Sequence, residues 1–176
     1  MTSARVLVIA MLCTGLGIGI GYAAKPQAPG IDVIRGKPDK EAGLAALVAA
    51  EQLAGSGSWE LLAVGRVYYL SGDKAHGQAL FDRVTATKPA GSDWQRLGAI
   101  YAEAGEAAKA EECYQKVLAL NPKDDTGQAE IGAWYLRNGQ RARGEELLAM
   151  ALQRHPDEMW HYVRAAEALL GVAPGH

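Results

Sequence analysis

A single spacing of 33 or 34 residues organises most of this sequence, from about residue 58 to about residue 158. Six kinds of residue return at the same place in three successive copies: a small residue, an aromatic, a turn glycine, a bulky residue, a smaller apolar residue and a closing proline. The columns are Gly65, Gly98 and Gly132; Tyr68, Tyr101 and Tyr135; Gly72, Gly105 and Gly139; Phe81, Tyr114 and Leu148; Val84, Val117 and Ala151; Pro89, Pro122 and Pro156. Because six columns in register do not arise from composition alone, the chain is built from a repeated structural unit.

The columns resemble those of the tetratricopeptide repeat, whose 34-residue unit carries W-x2-L-G-x2-Y followed by A, F and P. The second copy has the fullest match, with Trp94, Leu97, Gly98, Tyr101, Ala110, Tyr114, Val117 and Pro122. The third copy has Gln128 where the pattern has tryptophan, and Trp134 is near enough in the sequence to cover the same gap. The resemblance implies two antiparallel helices per unit, stacked into a right-handed superhelix with a concave inner face.

We therefore predict an all-α fold, a solenoid of tetratricopeptide-type helical hairpins behind one N-terminal transmembrane helix. Counting one period outward places half-repeats at both ends, with Gly43, Leu47 and Ala50 in the columns of a second helix and Tyr162, Ala165, Ala166 and Leu169 in those of a first helix. The predicted segments are 1–24 (anchor or signal), 25–38 (linker), 39–57 (half-repeat helix), 58–90, 91–124 and 125–158 (three repeats) and 159–176 (capping helix and tail). Eight helices are expected after the linker.

Residues 6–24 form an apolar run of nineteen residues without a charge. A helix of that length would be about 28 Å long, close to the hydrocarbon thickness of a bilayer. The length favours an uncleaved signal anchor with the repeats on the extracytoplasmic side, in a periplasm if the source is a Gram-negative bacterium. The small residues Gly21 and Ala23 also permit cleavage after Ala23, which would release a soluble periplasmic protein.

Four alternating glycines in this run would let the helix approach another membrane helix closely. They are Gly15, Gly17, Gly19 and Gly21. Glycine is also common in membrane helices that have no such role, so both interpretations stay open. The following residues 25–38 contain three prolines and two glycines, which predicts an extended spacer.

Charge and motif content argue against several classes of function. A formal net charge of -2 provides no broad basic surface for nucleic acid. The sequence has no phosphate-binding loop, dinucleotide-binding fingerprint or nucleophile elbow. The four histidines are scattered and are predicted to lie on the surface, and Cys113 is predicted to be a packing or surface thiol. We therefore predict no enzyme, no metal site, no cofactor and no small-molecule substrate.

The resemblance places the ligand groove of such a solenoid on the first helices of the repeats. The corresponding positions are Trp59, Leu62, Arg66, Tyr69, Gln95, Arg96, Ala99, Ala129, Glu130, Ala133 and Trp160. Members of the family that bind chaperones hold a carboxylate with five basic or amide side chains, but only two of the matching positions here are basic, Arg66 and Arg96. The alanines leave room for a helix or an extended peptide. Alternatively, the C-terminal helix or a partner's helix fills that room as part of the structure.

These features predict a non-catalytic protein-protein interaction module. The favoured hypothesis is a membrane-tethered scaffold or adaptor that assembles or stabilises an envelope protein complex and binds a partner's peptide or helix in its groove. The alternatives are a permanent structural subunit of a membrane complex and a secreted, soluble periplasmic adaptor released by signal cleavage. Neither nucleic acid nor a small molecule is an expected partner.

Overall fold

The computed structural model describes residues 29–175 as eight α-helices and one short 3-10 helix, with no β-strand in that range. The prediction of an all-helical chain is confirmed for this part of the molecule. The helices are α1 (Asp39–Ala54), α2 (Ser58–Leu70), α3 (Lys74–Thr85), α4 (Gly91–Glu103), α5 (Ala107–Leu120), α6 (Asp125–Arg137), α7 (Arg141–Arg154) and α8 (Met159–Leu170). Three hairpins, α2–α3, α4–α5 and α6–α7, form the body of a solenoid.

Each hairpin turns on a glycine that other residues could replace only with strain. Gly72, Gly105 and Gly139 have φ angles of 110°, 75° and 75°, in the left-handed region that side chains disfavour. The second helix begins two residues later in each case. These turns are so short that the two helices must lie antiparallel and side by side.

The column of Gly65, Gly98 and Gly132 lies where the two helices of a hairpin come closest. A methyl group added at Gly98 would lie 2.6 Å from the ring of Tyr114, and one added at Gly65 would lie 2.6 Å from the ring of Phe81. The bulky residue of the second helix therefore lies directly across the backbone of the first. The close approach of the two helices therefore explains the small residue in this column.

Aromatic side chains join one hairpin to the next. The Tyr101 ring meets the rings of Tyr69 and Phe81 edge-on, with both centroid distances 5.8 Å. Further along, Trp134 packs edge-on against Tyr114 at 5.0 Å. Since these contacts cross from one hairpin to its neighbour, the hairpins share one continuous apolar core.

The two end helices pack differently from the paired ones. Helix α1 lies on α2 and brings Leu47 and Ala50 against the core, but none of its residues is fully buried. Helix α8 packs chiefly on α6, where Ala165 joins a small cluster that contains Ala129. Each end helix therefore has one side against the solenoid and another side in contact with solvent.

The N-terminal predictions fall mostly outside the described residues. The structure does not describe the predicted membrane helix over 1–24. The predicted packing glycines lie in the same undescribed segment: Gly15, Gly17, Gly19 and Gly21. Within residues 29–175, no helix combines the length and the apolar character needed to cross a bilayer. The predicted spacer is not wholly extended where it is described, because Ile31–Val33 forms a 3-10 helix and Lys37 donates a hydrogen bond to the Val33 carbonyl.

Substituting alanine for two glycines of one column should change stability in opposite directions. A methyl group at Gly77 would lie 2.6 Å from the Gly65 carbonyl oxygen and 2.8 Å from the Tyr69 Cβ, so Gly77→Ala should lower the free energy of unfolding by roughly 1–3 kcal/mol. Gly43 has no neighbour within 4 Å, so Gly43→Ala should leave that free energy unchanged or raise it by up to about 1 kcal/mol. Urea unfolding followed by circular dichroism measures both. Equal losses in the two variants would contradict the close approach at Gly77.

Candidate functional site

The exposed side chains of the first helices form one continuous row. We call this row the inner face, which consists of Trp59 and Arg66 on α2, Gln95, Arg96, Ala99 and Glu103 on α4, and Glu130 on α6. All seven are exposed or half-buried. They lie on helices held rigidly by the hairpin seams, so their spacing is fixed by the fold rather than by loops.

Four residues predicted to line the groove lie inside the packing instead. Leu62, Tyr69, Ala129 and Ala133 are each at most 3 % exposed. Leu62 and Tyr69 belong to the shared core. The other positions predicted to line the groove are exposed or half-buried: Trp59, Arg66, Gln95, Arg96, Ala99, Glu130 and Trp160.

Helix α8 accounts for the two buried alanines. It packs along α6, and its Ala165 is in the same apolar cluster as Ala129. Small residues on both helices permit this close packing. Over the third hairpin, the C-terminal helix thus fills the room that the alanines provide, which is one of the two alternatives that the sequence left open. Ala99 of the second hairpin remains exposed.

Polar contacts tie the inner face together across neighbouring helices. The Arg96 guanidinium lies 4.6 Å from the centre of the Trp59 ring, which joins α4 to α2. Arg66 donates two hydrogen bonds to the Glu103 carboxylate, one of them at 2.6 Å from Nε to Oε2. Gln95 donates to Glu130 and joins α4 to α6. The face is thus organised before any ligand arrives.

One ion pair, between Arg66 and Glu103, neutralises two of the four charged residues of the inner face. The hydrogen bond from Arg66 to Glu103 raises the pKa of the Arg66 guanidinium. Among the described residues, Arg96 has no carboxylate partner. Arg96 is thus the one cation of the inner face without a carboxylate partner, and one such cation does not make a basic cluster. Trp160, at the start of α8, is well exposed but is in a separate part of the face.

A second polar cluster lies at the turns within the first two hairpins. The Tyr69 hydroxyl donates to Glu106 at 2.7 Å, and Lys74 and Lys109 contact the same carboxylate at 2.6 and 2.8 Å. These hydrogen bonds, that from Lys109 first, lower the pKa of Glu106 to about 2. Sequence reasoning missed this cluster because Gln140 takes the place of Glu106 in the third copy. It locks α2 and α3 to the start of α5.

The remaining polar residues give no catalytic arrangement in residues 29–175. Burial raises the pKa of the Cys113 thiol to about 11, so it is a packing residue and a poor nucleophile. No three His, Cys, Asp or Glu side chains within that range are placed to share a metal ion.

The prediction that His161 is a surface residue is wrong, because the packing of α8 on α6 buries it. It lines an open cleft of about 290 Å³ near Asp125 and His155, which already contact each other.

The fold is that of a helical-hairpin solenoid, and the comparisons with known proteins agree. Residues 93–124, which contain most of the second hairpin, match the model of the tetratricopeptide repeat family. The crystal structure of MamA has a similar fold, with a TM-score of 0.53 and 18% sequence identity over 75% of this chain and 80% of that one. No curated protein matches the sequence.

Replacing Glu106 by glutamine should make stability less sensitive to acid. A carboxyl whose pKa is lowered by folding stabilises the fold fully above its ordinary pKa of 4.5, and this contribution disappears as the pH falls through about 2. Glu106→Gln should therefore melt below the wild type at pH 7, and the gap should close as the pH falls from 4.5 towards 2. Thermal melts across this range measure the gap.

Glu145→Gln is the matched control, because Glu145 is an exposed carboxylate paired only with Arg141 of its own helix. This variant should melt close to the wild type at both ends of the pH range. If the gap for Glu106→Gln stays constant with pH, the cluster does not stabilise the ionised carboxylate.

Proposed function

We propose that this protein is a non-catalytic interaction scaffold that binds a segment of a partner protein on its inner face. The observation that carries the proposal is the open stretch around Trp59, Arg96 and Ala99. Trp59 is 53 % exposed although it lies on a helix that is otherwise well packed. Tryptophan and arginine are the side chains that most often dominate binding energy at protein interfaces.

The chemistry of this stretch suggests what the partner segment looks like. Trp59 offers an apolar ring, Arg96 offers a guanidinium free of a carboxylate, and Ala99 offers room for a side chain from outside. A helix or extended peptide with an apolar anchor and one acidic residue would complement all three groups. The pairs of Arg66 with Glu103 and Gln95 with Glu130 hold the neighbouring surface in place.

A scaffold role also fits the tetratricopeptide repeat at residues 93–124, since proteins with such repeats serve generally as interaction modules. We further propose that residues 1–24 tether the scaffold to a membrane, so that it serves the assembly or stability of an envelope complex. A permanent subunit of a membrane complex and a soluble periplasmic adaptor are the alternatives. The nineteen uncharged residues at 6–24 support the tether.

Photocrosslinking from the inner face tests the binding surface. A photoreactive amino acid at Ala99 of the full chain should crosslink a protein in cells of the source organism. The same amino acid at Ala79, an exposed position on the second helix α3, should not yield that adduct. Reversing both charges with Arg66→Glu and Arg96→Glu should abolish the Ala99 adduct and leave helicity and melting temperature nearly unchanged, because both arginines are partly exposed.

The matched control reverses two arginines elsewhere. Arg141 and Arg143 on α7 form exposed pairs within their own helix, so Arg141→Glu with Arg143→Glu should keep the Ala99 adduct. An adduct that survives the Arg66 and Arg96 reversal, or that appears equally from Ala79, would place the binding surface elsewhere.

The N-terminus of the native protein separates the tether from the soluble adaptor. The tether predicts that the protein sediments with membranes, resists a carbonate wash and starts at or near Met1. A mature chain that begins at Ala24 and is found in the soluble fraction would eliminate the anchor. Among anchored outcomes, partners that stay bound in high salt indicate a permanent subunit, and partners that salt releases indicate a scaffold.

A further inference from the structure

The described solenoid is incomplete at both ends, and the two missing halves are complementary. In each hairpin a first helix (α2, α4 or α6) pairs with a second helix (α3, α5 or α7). Helix α1 is in the place of a second helix, and only a 3-10 helix precedes it among residues 29–38. Helix α8 is in the place of a first helix, and no helix follows it through residue 175.

Helix α8 exposes the columns that first helices normally bury. Tyr68, Tyr101 and Tyr135 of the complete hairpins are 3, 5 and 2 % exposed, whereas Leu169 in the same column is 57 % exposed. Ala166 is in the column of Gly65, Gly98 and Gly132, which are all buried, and yet it is exposed. The end of a solenoid that faces water usually has a polar outer surface, and α8 does not.

Helix α1 exposes the columns that second helices normally bury. Gly77, Ala110 and Gly144 lie against the first helix of their own hairpin, but Gly43 in that column has open space around it to at least 4 Å. Ala46 is exposed where Leu80, Cys113 and Leu147 are buried. Leu44 next to it is also exposed.

In the complete hairpins, small residues face each other where the two helices come closest, and the two unpaired faces have small residues at the same positions. In the first and third hairpins the positions that approach closely are Gly65 with Gly77 and Gly132 with Gly144. Gly98 and Ala110 are in the same columns of the second hairpin. Each pair contains at least one glycine and nothing larger than alanine, because the backbones touch there: methyl groups added at Gly77 and Gly144 would lie 2.6 and 2.7 Å from carbonyl oxygens of the first helix. Ala166 with Gly43 would satisfy the same rule.

We propose that α8 of one copy pairs with α1 of a second copy to form a composite hairpin between chains. The C-terminal tail leaves room for it, because Gly175 bonds to Arg164 and Glu167, which are in the inner-face columns of α8 rather than in those of Ala166 and Leu169. The contact joins two different surfaces, so successive copies would add head to tail, into an open chain or a ring, rather than close as a twofold dimer. It leaves the inner face of every copy accessible and does not depend on the proposed partner.

Disulfide crosslinking between chains tests the pairing directly. Backbones that touch are within the Cα separation that a disulfide needs. A mixture of full-length Gly43→Cys and Ala166→Cys proteins in mild detergent, oxidised with copper phenanthroline, should give a covalent dimer. Neither protein alone should give it, and each serves as the control for Cys13 and Cys113. The double variant should give a ladder of longer chains.

Blocking each face by itself tests the head-to-tail direction. If the wild type forms longer chains in light scattering, as we expect, then Gly43→Arg and Ala166→Arg should each remove them. Neither change should lower the melting temperature, because both positions are exposed. An equimolar mixture of the two variants should form dimers and nothing longer, since each retains one intact face. Gln52→Arg, at an exposed position of α1 whose column is also exposed in the complete hairpins, should associate like the wild type.

Three results would overturn the composite hairpin. A Gly43→Arg protein that still dimerises through α8 would show a twofold contact instead. A wild-type chain that stays monomeric while the thiol of Ala166→Cys reacts freely with maleimide would show that the face is simply open. A monomeric chain in which that thiol is protected would show that another part of the same chain, such as residues 1–28, covers α8.

Discussion

The contact of two helix backbones at the glycine columns is the constraint on which the rest of this structure depends. With no side chain at Gly65 or Gly98, the ring of Phe81 or Tyr114 can lie across the backbone of the facing helix. That contact fixes how far apart the helices of a hairpin lie and how they are turned. It also leaves each hairpin with an apolar surface that it cannot bury alone, so the hairpins must stack.

Stacking then decides which first-helix side chains remain for binding. Leu62 and Tyr69 are buried in the shared core, and Ala129 is buried in the cluster that α6 forms with α8. What remains is a narrow row in which Trp59 and Arg96 are prominent and in which Arg66 is already paired with Glu103. Such a row favours recognition by shape and one apolar anchor over recognition by net charge, because paired surface charges contribute little additional attraction.

The helices and hairpins could be predicted from the sequence because the repeated columns record the packing that creates them. The binding site could be predicted only in part. The repeated columns predict the direction in which a side chain points from its helix, but they do not predict the distance to the neighbouring helix. Ala99 and Ala133 are in one column, yet one is exposed and the other buried, since α8 approaches α6 closely and no helix covers α4 in the same way. The Glu106 cluster was missed because it depends on contacts among three elements and is not repeated.

The two end helices, α1 and α8, have surfaces that the pairing of helices within hairpins explains. A periodic stack of hairpins has no internal reason to stop, so its ends in water need surfaces that differ from the repeated ones. Here they do not differ enough: Leu169 and Ala166 keep first-helix character, and Gly43 keeps the open space of a second helix that has lost its partner. A glycine in the middle of an exposed helix costs about 0.5–1 kcal/mol relative to alanine and gains nothing from packing within the chain. Its place in the column is explained when a first helix from another copy lies against it.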